Sequence, residues 1–147
     1  MIKIAFLQLL PSECVEENME KGIHYCKEAR KLGADIALFP EMWSCGYHIP
    51  HDLKKLNELA IPTDGEFVTC YAELAKEFDM AIGITFLERR KSRPRNTICL
   101  YDHYGKSVTK CISAILEKRM MRVYCVQGMS LLLPSWIRQR ENSKWGP

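Results

Sequence analysis

Residues 34–43 read ADIALFPEMW. Residues 34–39 have the length and apolar content of a strand, and Pro40 closes it. Glu41 follows, which sets a carboxylate just past the strand's C-terminal end. Upstream, residues 2–10 (IKIAFLQLL) form an apolar run of strand length, predicted to be buried on both faces. Between the two, residues 13–32 have helical spacing, with Val15, Met19, Ile23, Cys26 and Ala29 on one face. Gly33 stands where a glycine would end that helix. Strand, helix, strand is a βαβ unit, which favours a parallel sheet with a right-handed crossover. The fold class is therefore α/β.

The pattern continues downstream. Residues 41–50 (EMWSCGYHIP) have no period and read as a loop, and residues 51–60 read as a short helix. Asp64-Gly65 marks a turn. Residues 66–78 have helical period, with Phe67, Tyr71, Leu74 and Phe78 on one side. Residues 80–87 (MAIGITFL) form a third strand. Residues 88–95 (ERRKSRPR) read as a basic, solvated connection. Residues 96–102 and 106–109 flank His103-Tyr104-Gly105 as an antiparallel hairpin. Beyond Lys110 caps, period and turn chemistry no longer agree, and local agreement is the mark of a foldable sequence. The chain is therefore divided into a domain over 1–110 and a foreign-looking tail over 111–147.

Composition excludes several classes. At 147 residues, 47% hydrophobic and 10% aromatic, the chain suits one packed domain and not a disordered segment. No apolar run is long enough for a membrane span, and the N-terminus lacks a signal peptide's layout. Seven cysteines without a CxxC pair argue against a disulfide framework and point to a reducing, cytoplasmic setting. The net charge of +3 is uneven, because residues 111–147 hold six of the bases and only two acids, Glu117 and Glu141. The domain itself is not basic, so neither a nucleic-acid nor a membrane partner is expected.

Chemistry centres on Glu41. In open α/β sheets ligands bind beyond the carboxyl ends of the strands. A glutamate there, walled by Met42 and Trp43, suits a general base with a raised pKa. Together, Ile4-Ala5 to Gln8, the Phe39-Pro40-Glu41 triplet, Ile82-Gly83, Asn96-Thr97 and the Gly105-Lys106 turn resemble the nitrilase superfamily of carbon–nitrogen hydrolases. The resemblance implies an α-β-β-α sandwich, here incomplete, and a homo- or hetero-oligomer. It implies hydrolysis of small amides, nitriles or carbamoyl amines, with neither cofactor nor metal. The implied machinery is a Glu base, a Lys that stabilises the oxyanion, and a Cys nucleophile that forms a thioester.

Glu41 matches the base. The family's lysine follows the hairpin in a Tyr-x-Lys-x-His context, and in register its place falls on Ser113. Lys110, expected on the same sheet face one residue pair away, is the candidate substitute. Cys125 is the only residue near a nucleophile-like context, and it has no preceding apolar strand. The tail also admits a frameshift reading, taking the last base of each codon with the first two of the next. Met120-Met121 and Trp136-Ile137 must then each encode Asp, and synonymous codons allow strings like the missing family segment.

Other groupings have plainer readings. Cys45, His48 and His51 have C-x2-H-x2-H spacing but no further ligand cluster, so they read as loop residues. Cys45 reads as a pocket-wall residue and not a surrogate nucleophile. Cys14, Cys26, Cys70 and Cys99 read as small core hydrophobes. The expected function is a hydrolase fragment, inactive alone, with Glu41 present and the Lys–Cys pair absent. One alternative is a non-catalytic partner of an intact paralogue. The other is an unrelated doubly wound binding domain, although residues 9–12 lack a glycine-rich phosphate loop.

Overall fold

The computed structural model describes residues 1–47 and 49–113, with side chains through residue 108. The elements are β1 (Ile4–Phe6), α1 (Val15–Lys31), β2 (Ile36–Leu38), α2 (Leu53–Leu59), α3 (Glu66–Glu77), β3 (Ala81–Glu88), β4 (Arg95–Tyr101) and β5 (Ser107–Ser113). They build a five-stranded sheet in the order β1-β2-β3-β4-β5. β1, β2 and β3 are parallel, and the β3-β4-β5 meander is antiparallel. The βαβ unit and the hairpin thus stand where the sequence puts them. β5 runs through position 110 without a break, and residues 114–147, including Cys125, lie outside the described residues.

Local chemistry explains the element ends. Gly33 has φ +79°, a value that costs a glycine little. Its N–H bonds Arg30 O at 2.9 Å and the Ala34 N–H bonds Ala29 O at 3.0 Å. That is a Schellman close, and it turns the chain into β2. The acids Glu16 and Glu17 and the bases Arg30 and Lys31 sit at the ends of α1 that their charges favour. The Asp52 carboxylate caps α2 by accepting the Lys54 N–H at 3.0 Å.

The buried stripe of α1 differs from the one the spacing predicts. It runs through Asn18, Gly22, Cys26 and Ala29, while Val15, Met19 and Ile23 are only partly buried beside it. The stripe turns because Gly22 lets α1 approach closely. A Cβ there would stand 2.0 Å from Tyr71 Oη and 3.0 Å from both the Phe39 and Trp43 rings. Asn18 is tolerated because it is hydrogen-bonded, its amide donating to Ser12 O at 2.9 Å and to Ser44 O at 3.2 Å. Cys26 and Cys99 are core hydrophobes as expected. Cys14 is not, because it is the N-cap residue of α1 and its thiol donates to Glu16 at 2.9 Å.

The two sheet faces have different fates. Ala37, Ile82, Ile84, Phe86, Cys99 and Tyr101 face the core formed with α1 and α3. The alternate positions include Ile4, Phe6 and Ile98, which stay 48%, 69% and 37% exposed. The prediction that the first strand is buried on both faces is therefore corrected. β1 is short, and only its Ala5 face packs inward.

β3 outruns β2, so its edge needs other partners. Ser44 Oγ accepts the Leu87 N–H at 3.1 Å. Ile61 then bridges Leu87 O and the Arg89 N–H at 2.9 and 2.8 Å. Thr85 secures the loop that makes this turn. Its hydroxyl donates to Pro40 O and accepts the Trp43 N–H at 3.0 Å.

Two substitutions test these supports. Gly22→Ala should lower stability by about 1–3 kcal/mol through overpacking against Tyr71, read as a lower urea midpoint. Thr85→Val should cost about 1–3 kcal/mol by leaving the Trp43 N–H and Pro40 O without their partner. An unchanged midpoint in either variant would contradict the corresponding contact.

Candidate active site

The loop after β2 sorts three consecutive side chains to different surroundings. Met42, at φ +57°, is fully buried with Cys45, Leu56, Ala60 and Leu87. Trp43 turns under the sheet into the helix-side core, its ring centroid 5.2 Å from Phe39, and its indole N–H donates to Tyr71 Oη at 3.1 Å. Glu41 goes the other way. Asn96 on β4 donates its side-chain amide to Glu41 Oε1, and the Tyr47 hydroxyl donates to Oε2 at 2.6 Å. The carboxylate thus reaches across β3 to the neighbouring hairpin strand.

This geometry corrects the apolar wall expected around Glu41. Trp43 belongs to the aromatic cluster with Phe39 and Tyr71, so the groups that touch the carboxylate are polar. Asn96 is buried and fixed, whereas Tyr47 is 59% exposed. Although the residue is largely exposed, desolvation of its phenol, the hydrogen bond to Glu41 and that carboxylate's charge raise the Tyr47 phenol to about 12.

The structure brings together Glu41, Tyr47 and Asn96. Asn96 is one of the residues that carry the family resemblance, but its contact with Glu41 spans 55 positions and no local signal announces it. Tyr47 lies in a stretch without period, and nothing in its neighbours marks it.

The reasoning that Lys110 shares a sheet face with the expected lysine position is corrected by the strand register. Lys110 pairs with Cys99, while Ser113 pairs with Asn96. Positions three apart on a strand belong to opposite faces. The backbone position of Ser113 is therefore on the face of Asn96 and Glu41, and that of Lys110 is on the helix-side face with Cys99.

The remaining candidates separate. Cys45 is buried in the Met42–Leu87 cluster with its thiol toward Gly46 O at 3.6 Å, and burial pushes that thiol up, the environment of an inert structural cysteine. His48 lies outside the described residues. Among the described residues no group of three or more His, Cys, Asp or Glu converges as a metal site. No described helix is long and apolar enough to cross a membrane.

Glu88 gains a role that its place before a basic run hides. It ends β3 fully buried, with the Thr97 hydroxyl donating to it at 2.7 Å and Arg90 3.6 Å away. It ties β3 to β4 one residue pair beyond Asn96.

Comparisons with known proteins bear on the family and the fold. The chain is 25% identical over 105 residues to an N-carbamoylputrescine amidase of Oryza sativa subsp. japonica, covering 71% of this chain and 35% of that protein. It is 27% identical over 113 residues to nitrilase homolog 2 of Dictyostelium discoideum, covering 75% and 33%. The chain thus spans about a third of the length of the curated relatives it matches. Among solved structures, the C. elegans NitFhit protein superposes with TM-score 0.68 at 20% identity, over 88% of this chain and 35% of that one. An amidase from Nesterenkonia sp. gives TM-score 0.66 at 17% identity, over 88% and 49%. These likenesses show the α/β fold. The sequence matches the carbon–nitrogen hydrolase family over residues 3–121, past the boundary expected at 110, and the chain belongs to that family.

Proposed function

We propose that this chain is the N-terminal part of a carbon–nitrogen hydrolase acting on small amides, nitriles or carbamoyl amines, and that Glu41 is its general base. The observation that carries this reading is the tether of Glu41 to Asn96 and Tyr47 at the rim beyond β2. A base must be held where it meets the proton it takes. Asn96 fixes one carboxylate oxygen from a buried position. The other is covered only by an exposed tyrosine, so a reacting group can reach it by displacing that ring. In the family chemistry, for an amide or carbamoyl amine, the base deprotonates a cysteine thiol, the thiolate attacks the carbonyl carbon, and the amine leaves with the proton. Water then hydrolyses the thioester.

The same reading holds that the chain does not turn over substrate by itself. The position aligned with the oxyanion-binding lysine carries Ser113, and we assign Lys110 no part, because its register position lies on the other face. Loss of one member of a cooperating set removes most of the rate.

The exposed Ile4, Phe6 and Ile98 favour a second reading. A bare apolar sheet face is a surface for another polypeptide, so the chain would pair with an intact relative and alter its assembly. Co-purification of a full-length homologue with the tagged chain, lost on Phe6→Ser, separates this reading from the first.

Two measurements test the proposal. Purified chain incubated with primary amides and carbamoyl amines should release no ammonia above the level of Glu41→Gln. Turnover that Glu41→Gln abolishes would overturn the claim of inactivity and keep the base. The Tyr47 phenol should ionise at lower pH in Glu41→Gln than in the parent, where the carboxylate helps to hold it up. A carboxylate disfavours the neighbouring phenolate, so neutralising it lowers the phenol pKa. Identical phenolate absorbance curves would show that the two groups do not meet in solution.

A further inference from the structure

The sheet face turned away from α1 and α3 is apolar row by row. Ile4 pairs with Ile36, and Phe6 with Leu38. Leu38 pairs in turn with Gly83, and Gly83 with Leu100. A Cβ on Gly83 would meet Leu38 Cδ2 at 2.6 Å and Leu100 Cδ1 at 3.5 Å. The two leucines therefore close over the glycine and make one apolar row across four strands. Ile98 follows on β4, opposite Thr85. Among the described residues these rows carry no charged side chain.

The face is covered at one end only. The loop after β2 and α2 pack over Thr85 and Leu87. The rest is open, with Ile4, Phe6 and Ile98 exposed. Five strands spaced about 4.8 Å apart and some six residues of strand span roughly 24 by 20 Å. Side-chain relief carries the accessible area of such a plane toward the ~800 Å2 per partner of a stable interface.

We propose that a second copy of this chain docks on this face, sheet against sheet, so that the pair has four layers with α1 and α3 outside. The occupant must bring an uncharged apolar surface of the same extent, and a second copy brings one by construction. The charges behind the chain's net +3 lie off these rows, so two copies meet there without a like-charge contact. Sheets of equal twist stack with their strands inclined by about 30° and about 10 Å between them. A twofold axis uses the same patch on both chains and closes the assembly at two. This assignment does not rest on the role of Glu41, and an intact relative is the competing occupant.

The test is the mass of the purified full chain in solution, followed by light scattering across a dilution series. The chain should be a dimer at micromolar concentration and dissociate on dilution. Phe6→Lys should raise the dissociation constant at least about tenfold, because the dimer would then bury two ammonium groups in place of two rings. Phe6 lies on an edge strand and is 69% exposed, so the far-UV circular dichroism spectrum should not change. Ile98→Lys, three strands away on β4, should weaken the dimer in the same way. Tyr25→Lys, on the exposed side of α1, should leave it intact. In the parent, binding of the apolar dye anilinonaphthalene sulfonate should rise as dilution uncovers the face, a readout that needs no variant. A monomer at every concentration, a mass above two chains, or dye binding that ignores dilution overturns the proposal. So does a dimer broken by Tyr25→Lys and not by Phe6→Lys, or a homologue that co-purifies in place of the second copy.

Discussion

The hydroxyl of Thr85 is the contact on which the site depends. By donating to Pro40 O and accepting from the Trp43 N–H, it pins the chain reversal after β2 against β3. Between those two backbone atoms lies Glu41. With the backbone fixed on both sides, consecutive side chains must diverge. Trp43 enters the aromatic core with Phe39 and Tyr71, Met42 enters the cluster with Leu56 and Leu87, and Glu41 is left to cross β3 toward Asn96. Packing and placement of the carboxylate are thus one event. The buried aromatic anchor and the polar tether hold opposite ends of the same short turn.

The sheet then supplies the rest of the geometry. β3 continues past the end of β2, and its edge is satisfied first by Ser44 and then by Ile61. Buried backbone donors and acceptors need partners, so these substitutes allow β3 to carry the hairpin out to the level of Glu41. Glu88, buried at the end of β3 with Thr97 and Arg90, ties the last turn of the hairpin to its base. A buried carboxylate is costly unless it is hydrogen-bonded or paired, and Glu88 is both. The asymmetry of the sheet follows from the same plan, one face closed by α1 and α3 and the other leaving Ile4, Phe6 and Ile98 open.

Much of this is written locally. Period, caps and turn residues carry α1, α3, β2 and the β4–β5 hairpin, because each is decided by neighbours a few positions away. The Gly33 close and the placement of Glu41 past β2 belong to the same class. β1 packs on one face only, because an apolar run does not say which face will find a partner. The buried stripe of α1 departs from its hydrophobic spacing because the helix seats Gly22 against Tyr71, a contact between distant segments. The face of Lys110 could be settled only by the register that pairs it with Cys99.

The α/β class, the family and the presence of a carboxylate past β2 are legible in the amino-acid sequence, since they rest on short-range pattern and on short motifs in a fixed order. What surrounds that carboxylate is set by contacts between distant segments. Asn96 and Tyr47 reach Glu41, Trp43 turns away, and Ser113 rather than Lys110 takes the register position on its face. The physical reason is that strand pairing converts parity along the chain into sidedness. Which residues meet across a sheet is fixed by alignment between strands, a relation that no single stretch of sequence contains.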